Sequence, residues 1–427
     1  MIYTFQEIKN QSWKWIAAIL LLAFMITTSF RGGDFDLFMM SGERFWNGQN
    51  IYKPGYYESH SVYYFYGYPF SMVLSFFKFF PLPFVRLLWL CLNIYFMVQS
   101  WRMVVATLSL QKLTKSQQNI FYFACGAFMI HFINLNISAG QMTPLLLFIS
   151  LKSIELAEKK NDWVGSSLLA FGIVIKTLPL AIVAYLLYRG YFRFVCLTIF
   201  FFVLYFNIPC WVHGYPYCVT QLTDWLDLAG LNNPKAIRRE YWAPMHSFYS
   251  LFLVYCTTYG EAGIEFSRQI FSIGLKDLNR IILIVSLITS GFTLYFIRRM
   301  PFTQPQSPLH RLREISYMLV IIPLVFPMQQ KYSFLFIFPA IAYILHAIIS
   351  RSLTEGSTSR KTVITLLIMS FLLFISTIDL IFGQYVKDIS QYLKFSTFAD
   401  LLLIPCLIIC NPNNASLPIE NLETQPS

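Results

Sequence analysis

The sequence predicts an all-α protein that crosses a membrane many times, and its composition and its apolar pattern both point to this class. Of its 427 residues, 56% are hydrophobic and 12% are charged, whereas soluble domains have about 25% charged residues. The apolar residues form continuous runs, unlike the alternating strands of a membrane β-barrel. This composition excludes an ordinary soluble domain, and it also excludes a disordered chain.

Ten of the apolar runs have the length of a candidate span. Counting two further broken segments, we expect about 10–12 transmembrane helices in one integral-membrane domain over residues 1–411, followed by a disordered tail over 412–427. The predicted spans are residues 13–30, 84–106, 119–137, 142–157, 194–211, 280–297, 315–328, 332–350, 362–384 and 397–411.

The net charge is +11, and the distribution of the basic residues along the chain indicates which loops face the cytoplasm. Its Lys and Arg residues lie in short loops between apolar runs, which is typical of cytoplasmic loops and does not indicate nucleic-acid binding. The loops over 31–83 and 212–279 are then predicted to face outward. We expect membrane lipids and no nucleic acid among the partners.

Two apolar stretches do not fit as simple spans. Counting 66–80 as a full crossing would put the basic loop at Lys112 on the wrong side, so we predict a short interfacial or re-entrant helix there. The stretch 163–188 has basic loops at both ends and is predicted to be two short helices that break over 176–179. Irregular backbone at membrane depth is tolerated where it is buried or lines a cavity. Both stretches therefore point to a polar cavity that opens outward.

The first outward loop carries the strongest candidates for chemistry. Asp34 and Asp36 follow the first span directly, where partial desolvation can raise the pKa of a carboxyl and suit it to act as a general base. The alternative is a carboxylate that caps the following helix. The Asp-x-Asp spacing also occurs in metal-binding pairs, but no Cys or His cluster has metal-ligand spacing, and we expect neither metal nor cofactor.

The short turns at 138–141 and 328–331 are also predicted to face outward, and the late outward turn is the one at 328–331. Polar residues in these turns, and others outside the first loop, are candidate substrate ligands. Lys176 lies inside an apolar segment, where an ionisable group is costly and indicates function, although snorkelling is the alternative. Gln141 and Gln330 have amides that could bind sugar hydroxyls, or they are ordinary turn residues. Lys331 could bind a phosphate, and His246 could bind a phosphate or carry a proton, although a single His is more often structural.

The order of these motifs resembles that of glycosyltransferase family 87 over about residues 20–345. Two elements depart from the family pattern, because Met245-His246-Ser247 stands for Asn-Gln-Ser and Met328-Gln329-Gln330-Lys331 stands for Trp-x-His-His. The matching elements are Asp34-Phe35, Phe45-Trp46-Asn47-Gly48, Ile51-Tyr52, Tyr64-Phe65-Tyr66-Gly67-Tyr68-Pro69, Pro81-Leu82-Pro83, Arg86-Leu87-Leu88-Trp89, Gly140-Gln141, and Lys176 with Pro179.

The resemblance implies a GT-C type fold and a hexosyltransferase, with mannose as the expected sugar. The donor would be a polyprenyl-phosphate sugar, the acceptor a lipid or glycan, and the active site would face outward from a bacterial inner membrane. Asp34 would be the general base in an inverting attack. Substrate would be bound by Asp36, Arg44, Tyr66, Gln141, Lys176, His246, Gln330 and Lys331.

Two other classes of function remain open on the sequence. A transporter or flippase of lipid-linked glycans would favour inverted repeats and mid-membrane charges on several helices, and only Lys176 fits that pattern. An inert scaffold would not require the candidate residues to converge. The positions of those residues in the structure therefore bear on this choice.

Overall fold

The computed structural model describes residues 19–57, 60–230, 239–261, 267–297, 301–303, 307–350 and 358–412. The predicted tail lies outside this part beyond residue 412, and so do parts of the predicted loop 212–279.

The first half of the described chain contains helices and one pair of short antiparallel strands, and these strands were not predicted from the sequence. Short 3-10 turns follow α3 and α4 at Phe76–Phe79 and Leu110–Lys112. The elements are α1 (Ile19–Ser29), α2 (Asp34–Trp46), antiparallel strands β1 (Gly55–Tyr57) and β2 (His60–Val62), α3 (Tyr68–Ser75), α4 (Leu82–Leu108), α5 (Lys115–Ala139), α6 (Thr143–Glu158), α7 (Asp162–Ile175), α8 (Leu180–Tyr188), α9 (Phe192–Asn207), α10 (Cys210–His213) and α11 (Tyr215–Ala229).

The second half contains helices and no strand among its described residues, with 3-10 turns at Thr258–Glu261 and Lys331–Ile337. The helices are α12 (Phe248–Cys256), α13 (Leu275–Gly291), α14 (Thr293–Ile297), α15 (Pro308–Val325), α16 (Phe338–Ile349), α17 (Thr358–Ile375), α18 (Asp379–Tyr392), α19 (Phe395–Leu401) and α20 (Leu403–Ile409).

The polytopic all-α class is confirmed. Six helical segments among the described residues are long and apolar enough to cross a membrane, and a seventh follows if the pair 379–392 and 395–409, bent by 70°, is one span. The six are Leu82–Leu108, Lys115–Ala139, Phe192–His213, Leu275–Ile297, Lys331–Ile349 and Thr358–Ile375.

The two apolar stretches that did not fit as simple spans, 66–80 and 163–188, fold into short helices as predicted. The interfacial segment folds as the short α3 and the 3-10 turn that follows it, and the second stretch breaks between α7 and α8 at residues 176–179. The predicted span 362–384 is wrong in its second half, because α17 ends at Ile375 and a new helix begins at Asp379.

The chain divides into two compact units. The first comprises residues 1–100, 134–187 and 191–236, and the second comprises 101–133, 188–190 and 237–427. The prediction of one integral-membrane domain over residues 1–411 stays a prediction.

In the first unit, α2 lies tightly against α3. The contact is closest at Gly42, where an added Cβ would come within 2.8 Å of the backbone carbon of Leu74. The hydroxyl of Ser71 donates to that of Ser41 over 3.1 Å at the same contact. Because only a glycine allows this approach, the sequence fixes the distance between α2 and α3, and with it the position of the first residue of α2.

Candidate active site

Asp34 is the first residue of α2. The N-cap is Gly33, and no side chain makes a capping hydrogen bond at this end, so Asp34 does not cap the helix as the alternative reading suggested. The positive end of the helix dipole favours a carboxylate at this position. The side chain is open to solvent on one side, and protein atoms around it partly desolvate the carboxyl and raise its pKa. An accessible carboxylate with a raised pKa has the properties of a general base.

A buried amide contacts this carboxylate. Nε2 of Gln141 donates to Oδ2 of Asp34, and this bond lowers the pKa of Asp34 against the larger effect of desolvation. Oε1 of Gln141 accepts from the hydroxyl of Tyr66 at 3.3 Å. Tyr66 is itself positioned by the hydroxyl of Tyr52, which donates to its carbonyl at 2.9 Å. Because a hydroxyl donates to one end of the amide, the donating end of Gln141 faces Asp34.

The backbone turn before Gln141 explains its position. Gly140 has φ +64, and a Cβ there would lie 2.9 Å from Cβ of Phe35. The indole of Trp89 donates to the carbonyl of Gly140 at 2.8 Å and stacks on Phe35, with ring centroids 5.6 Å apart. The turn that follows α5 is thus attached to the start of α2.

Lys176 lies at the end of α7, in the extended backbone of the break before α8. Its ammonium is 6.0 Å from the ring centroid of Tyr66 and interacts electrostatically with Asp34. Burial lowers the pKa of Lys176 to about 8, against the opposite effect of Asp34. A cation, a carboxylate, an amide and a phenol therefore surround one region of the first unit.

Gly67, next to Tyr66, packs against the backbone just before Lys176. The amide of Gly67 donates to the carbonyl of Ile175 at 3.2 Å. A Cβ on Gly67 would lie 2.1 Å from the carbonyl oxygen of Val174, which is closer than any side chain allows. The glycine in this tyrosine-rich motif is therefore required by backbone contact.

The two aspartates of the first loop have different partners. Asp36 forms an ion pair with Arg86, whose Nη2 and Nε lie 2.6 and 2.9 Å from its Oδ1. Nη1 of Arg86 donates to the carbonyl of Ser29 at 3.2 Å, so this pair links the end of α1 to the starts of α2 and α4. In the sequence, Arg86 stood out only as part of the family element Arg86-Leu87-Leu88-Trp89, and its pairing with Asp36 was not predicted.

Arg44 binds backbone carbonyls of the same loop. Its guanidinium donates to the carbonyls of Ile51 at 3.4 Å, Pro54 at 3.3 Å and Lys53. These bonds fasten residues 51–54, which follow α2, to the last turn of that helix. A role of Arg44 or Asp36 in substrate binding stays a prediction.

The remaining candidates lie in the second unit. The amide of His246 donates to the carbonyl of Gln329 at 2.8 Å, and Met245 and Gln330 form an isolated antiparallel bridge. Nζ of Lys331 donates to the carbonyl of Thr377 at 3.2 Å. The residues predicted around the late outward turn are thus neighbours of His246.

The imidazole of His246 is fully buried. Its two ring nitrogens have no hydrogen-bond partner among the described residues, and its ring centroid is 5.9 Å from that of Phe334. Burial and the cations Lys394 and Lys331 hold the pKa of His246 well below its usual value. The predicted role of His246 in binding a phosphate or carrying a proton stays a prediction.

A buried carboxylate that the sequence did not single out supports the late turn. Glu240 accepts hydrogen bonds from the amide of Met328 and, at 3.1 Å, from the hydroxyl of Ser247. Fully buried Lys394 donates to the carbonyls of Trp242 at 2.6 Å and Met245 at 2.9 Å. Burial raises the pKa of Glu240 to about 7. Its position in a charged stretch of the sequence gave no signal of this role.

Within the described ranges, no group of three or more His, Cys, Asp or Glu side chains could hold a metal ion. The predicted independence from metals and cofactors stays a prediction.

Comparison with known proteins identifies one family. The family model for glycosyltransferase family 87 matches residues 64–309, which is more than half of the chain. Tyr66, Gln141, Lys176 and His246 lie within the matched region. The comparisons with curated proteins and with solved structures gave no significant match.

Proposed function

Because the chain belongs to glycosyltransferase family 87, whose members are membrane glycosyltransferases, we propose that it transfers a hexose from a polyprenyl-phosphate donor to a lipid or glycan acceptor. We take mannose as the sugar and the outer face of a bacterial inner membrane as the location. The observation that supports a transferase site is the carboxylate of Asp34, which is open on one side and is contacted by the buried amide of Gln141.

The proposed reaction is a single displacement. Asp34 takes the proton of the acceptor hydroxyl while the hydroxyl oxygen forms a bond to the anomeric carbon. The bond from the anomeric carbon to the phosphate oxygen breaks, and the polyprenyl phosphate leaves with the electron pair. Attack from the side opposite the leaving group inverts the anomeric configuration.

The neighbours of Asp34 have distinct proposed roles. Gln141 and Tyr66 hold the base in place and present groups that can bind sugar hydroxyls. Lys176 is the proposed partner of the leaving phosphate, since its charge opposes the charge that develops on the phosphate oxygens. Its electrostatic coupling to Asp34 supports this assignment.

Asp34 is a better candidate for the base than Asp36. Two nitrogens of Arg86 contact Oδ1 of Asp36, so that carboxylate is already engaged by a cation of the protein, whereas Asp34 accepts from a neutral amide. Asp36, Arg44, His246, Gln330 and Lys331 remain proposed substrate ligands, each to be tested by its own variant.

The test is sugar transfer by purified protein. With polyprenyl-phosphate mannose and a membrane lipid extract, we expect wild type to transfer mannose, and Asp34→Asn to lose about 10²–10⁴-fold in rate. Asp36→Asn is the matched control and is expected to retain more activity. Equal rates for wild type and a folded Asp34→Asn protein would rule out this base.

The same experiment tests the class of function. Product of retained anomeric configuration would contradict the single displacement. If mannose, glucose and arabinose donors all fail while the protein binds lipid-linked glycans, the transporter reading becomes the better one.

A further inference from the structure

A cavity of ≈ 380 Å³ lies beside α2, outside the site around Asp34. Its volume is within the range of about 300–1,000 Å³ that small-molecule sites occupy. The lining combines charged and apolar side chains from α2 with others from the segment that ends at the start of α4. They are Asp36, Met39, Met40, Glu43, Lys78, Phe80 and Leu82.

The cavity lies on the opposite side of α2 from the proposed base. Its α2 residues, from Asp36 to Glu43, are spaced three or four apart and share one face of the helix. With about 3.6 residues per turn, Asp34 points roughly 180° away from the middle of that face. Asp34 lies next to the face that carries buried Phe38 and Phe45. The cavity is therefore not part of the surroundings of Asp34.

The cavity lies at the end of an apolar span. Leu82 is both a lining residue and the first residue of the 27-residue helix α4. Three phenylalanines near this end, Phe79, Phe80 and Phe84, have exposed fractions of 64%, 53% and 54%. Exposed phenylalanines at the end of a span suit contact with lipid, and an exposed indole such as that of Trp46, which is 45% exposed beside Lys78, is typical of the headgroup layer of a bilayer. This end of α2 and α4 is thus at the depth of lipid headgroups.

The charges of the cavity have both signs. Asp36 is neutralised by its ion pair with Arg86. Glu43 and Lys78 have no ion-pair partner among the residues that the structure describes, and Nζ of Lys78 is 4.6 Å from the ring centroid of Trp46. One carboxylate and one ammonium complement a ligand that carries both an ammonium and a phosphate. A purely anionic headgroup would be repelled by Glu43.

From this arrangement we propose that the cavity binds a zwitterionic phospholipid with a primary ammonium, of the ethanolamine class. Lys78 binds the phosphate and Glu43 accepts hydrogen bonds from the ammonium. The acyl chains lie along the exposed rings of Phe79 and Phe80, and Met39 and Met40 contact the apolar part of the headgroup. Asp36, one of the proposed substrate ligands, also lines the cavity, but neither of the proposed lipid contacts involves it, and the test measures lipid binding alone.

The test is lipid retention by the purified full-length chain. The protein in detergent is given equal amounts of phosphatidylethanolamine, phosphatidylcholine and phosphatidylglycerol with identical acyl chains, and bound lipids are counted by native mass spectrometry. We expect phosphatidylethanolamine to be retained in preference to the other two. A quaternary ammonium has no N–H to donate to Glu43, and an anionic headgroup has no ammonium.

Two variants separate specific binding from general attraction. Glu43→Gln removes a charge-assisted hydrogen bond and is expected to reduce phosphatidylethanolamine retention about tenfold. Met39→Trp fills the cavity without changing its charges and is expected to reduce retention as strongly. Asp277→Asn is the matched control, since Asp277 is an exposed carboxylate in the first turn of another span and leaves retention unchanged.

Three results would overturn the proposal. They are equal retention of the three lipids by wild type, a preference for phosphatidylglycerol, and unchanged retention in folded Glu43→Gln and Met39→Trp proteins. Each variant is first checked for a single symmetric peak in size-exclusion chromatography, so that misfolding is not read as lost binding.

Discussion

The side-chain amide of Gln141 donates a hydrogen bond to the carboxylate of Asp34, although 107 residues separate the two in the chain. The amide is buried, and the hydroxyl of Tyr66 donates to its other end. The bond stabilises the charged form of Asp34, whereas desolvation disfavours it. Gln141 therefore lowers the pH at which the proposed base becomes active, against the larger effect of desolvation.

Replacing Gln141 by Leu should move the acidic limb of the pH–rate profile upward. The bond from Gln141 lowers the pKa of Asp34, so its loss raises that pKa, and the base stays protonated to a higher pH. We expect kcat/KM of Gln141→Leu to fall most at acidic pH and to recover partly as pH rises. A profile that is lowered equally at every pH would show that Gln141 acts on something other than the titration of Asp34.

Lys176 should determine the alkaline limb. Burial lowers its pKa to about 8, so its charge is present below that pH and is lost as the pH rises through it. If this charge stabilises the leaving phosphate, wild-type kcat/KM should fall above about pH 8, since kcat/KM reports the protein without substrate, and Lys176→Met should lose about 10²–10³-fold at neutral pH.

The control for this prediction is Lys176→Arg. A guanidinium stays charged throughout the accessible range, so Lys176→Arg should retain part of the activity and lose the alkaline limb. An unchanged limb in Lys176→Arg would assign that titration to another group.

The contact of Gly67 predicts a selective loss of stability. A Cβ at this position would lie 2.1 Å from the carbonyl oxygen of Val174, so the segment with Tyr66 or the segment before Lys176 would have to shift. We expect Gly67→Ala to reduce the free energy of unfolding by about 2 kcal/mol or more. It should also reduce transfer by the protein that remains folded.

Gly126→Ala is the matched control for this substitution. No heavy atom lies within 4 Å of a Cβ at Gly126, which is inside α5. Alanine in a helix interior is favoured over glycine by about 1 kcal/mol, so Gly126→Ala should raise the thermal midpoint or leave it unchanged. If the two variants have the same midpoint, the contact at Gly67 does not constrain the fold.

Features that depend on local pattern could be predicted from the sequence. The break over residues 176–179 follows from basic loops at both ends of one apolar stretch, together with Pro179. The end of α17 was missed because residues 362–384 are almost continuously apolar, and Asp379 alone indicates that a new helix begins there.

Pairings between distant segments could not be predicted in this way. Residue spacing alone does not distinguish Asp34 from Asp36 as the base, and the prediction of Asp34 rested on the family resemblance; the two carboxylates differ in their partners in the structure. Arg86 is brought to Asp36 by the start of α4, and Gln141 is brought to Asp34 by the turn at Gly140. Neither contact has a signal in residue spacing, since each depends on how two helices meet.

The buried carboxylate of Glu240 predicts an unusual pH dependence of stability. Burial raises its pKa to about 7, above its value in an unfolded chain. Folding therefore favours the protonated form, and the stabilising contribution is fully present at acidic pH and is lost as pH rises through about 7. Glu240→Gln has no charge to bury and keeps an oxygen that can accept from the amide of Met328. We expect it to raise the thermal midpoint relative to wild type at about pH 8.5 and to change it little at about pH 5.

The measurement is thermal unfolding of both proteins in the same detergent at the two pH values, with Asp277→Asn as the exposed-carboxylate control. An equal difference between Glu240→Gln and wild type at both pH values would mean that Glu240 does not titrate in the folded protein over this range.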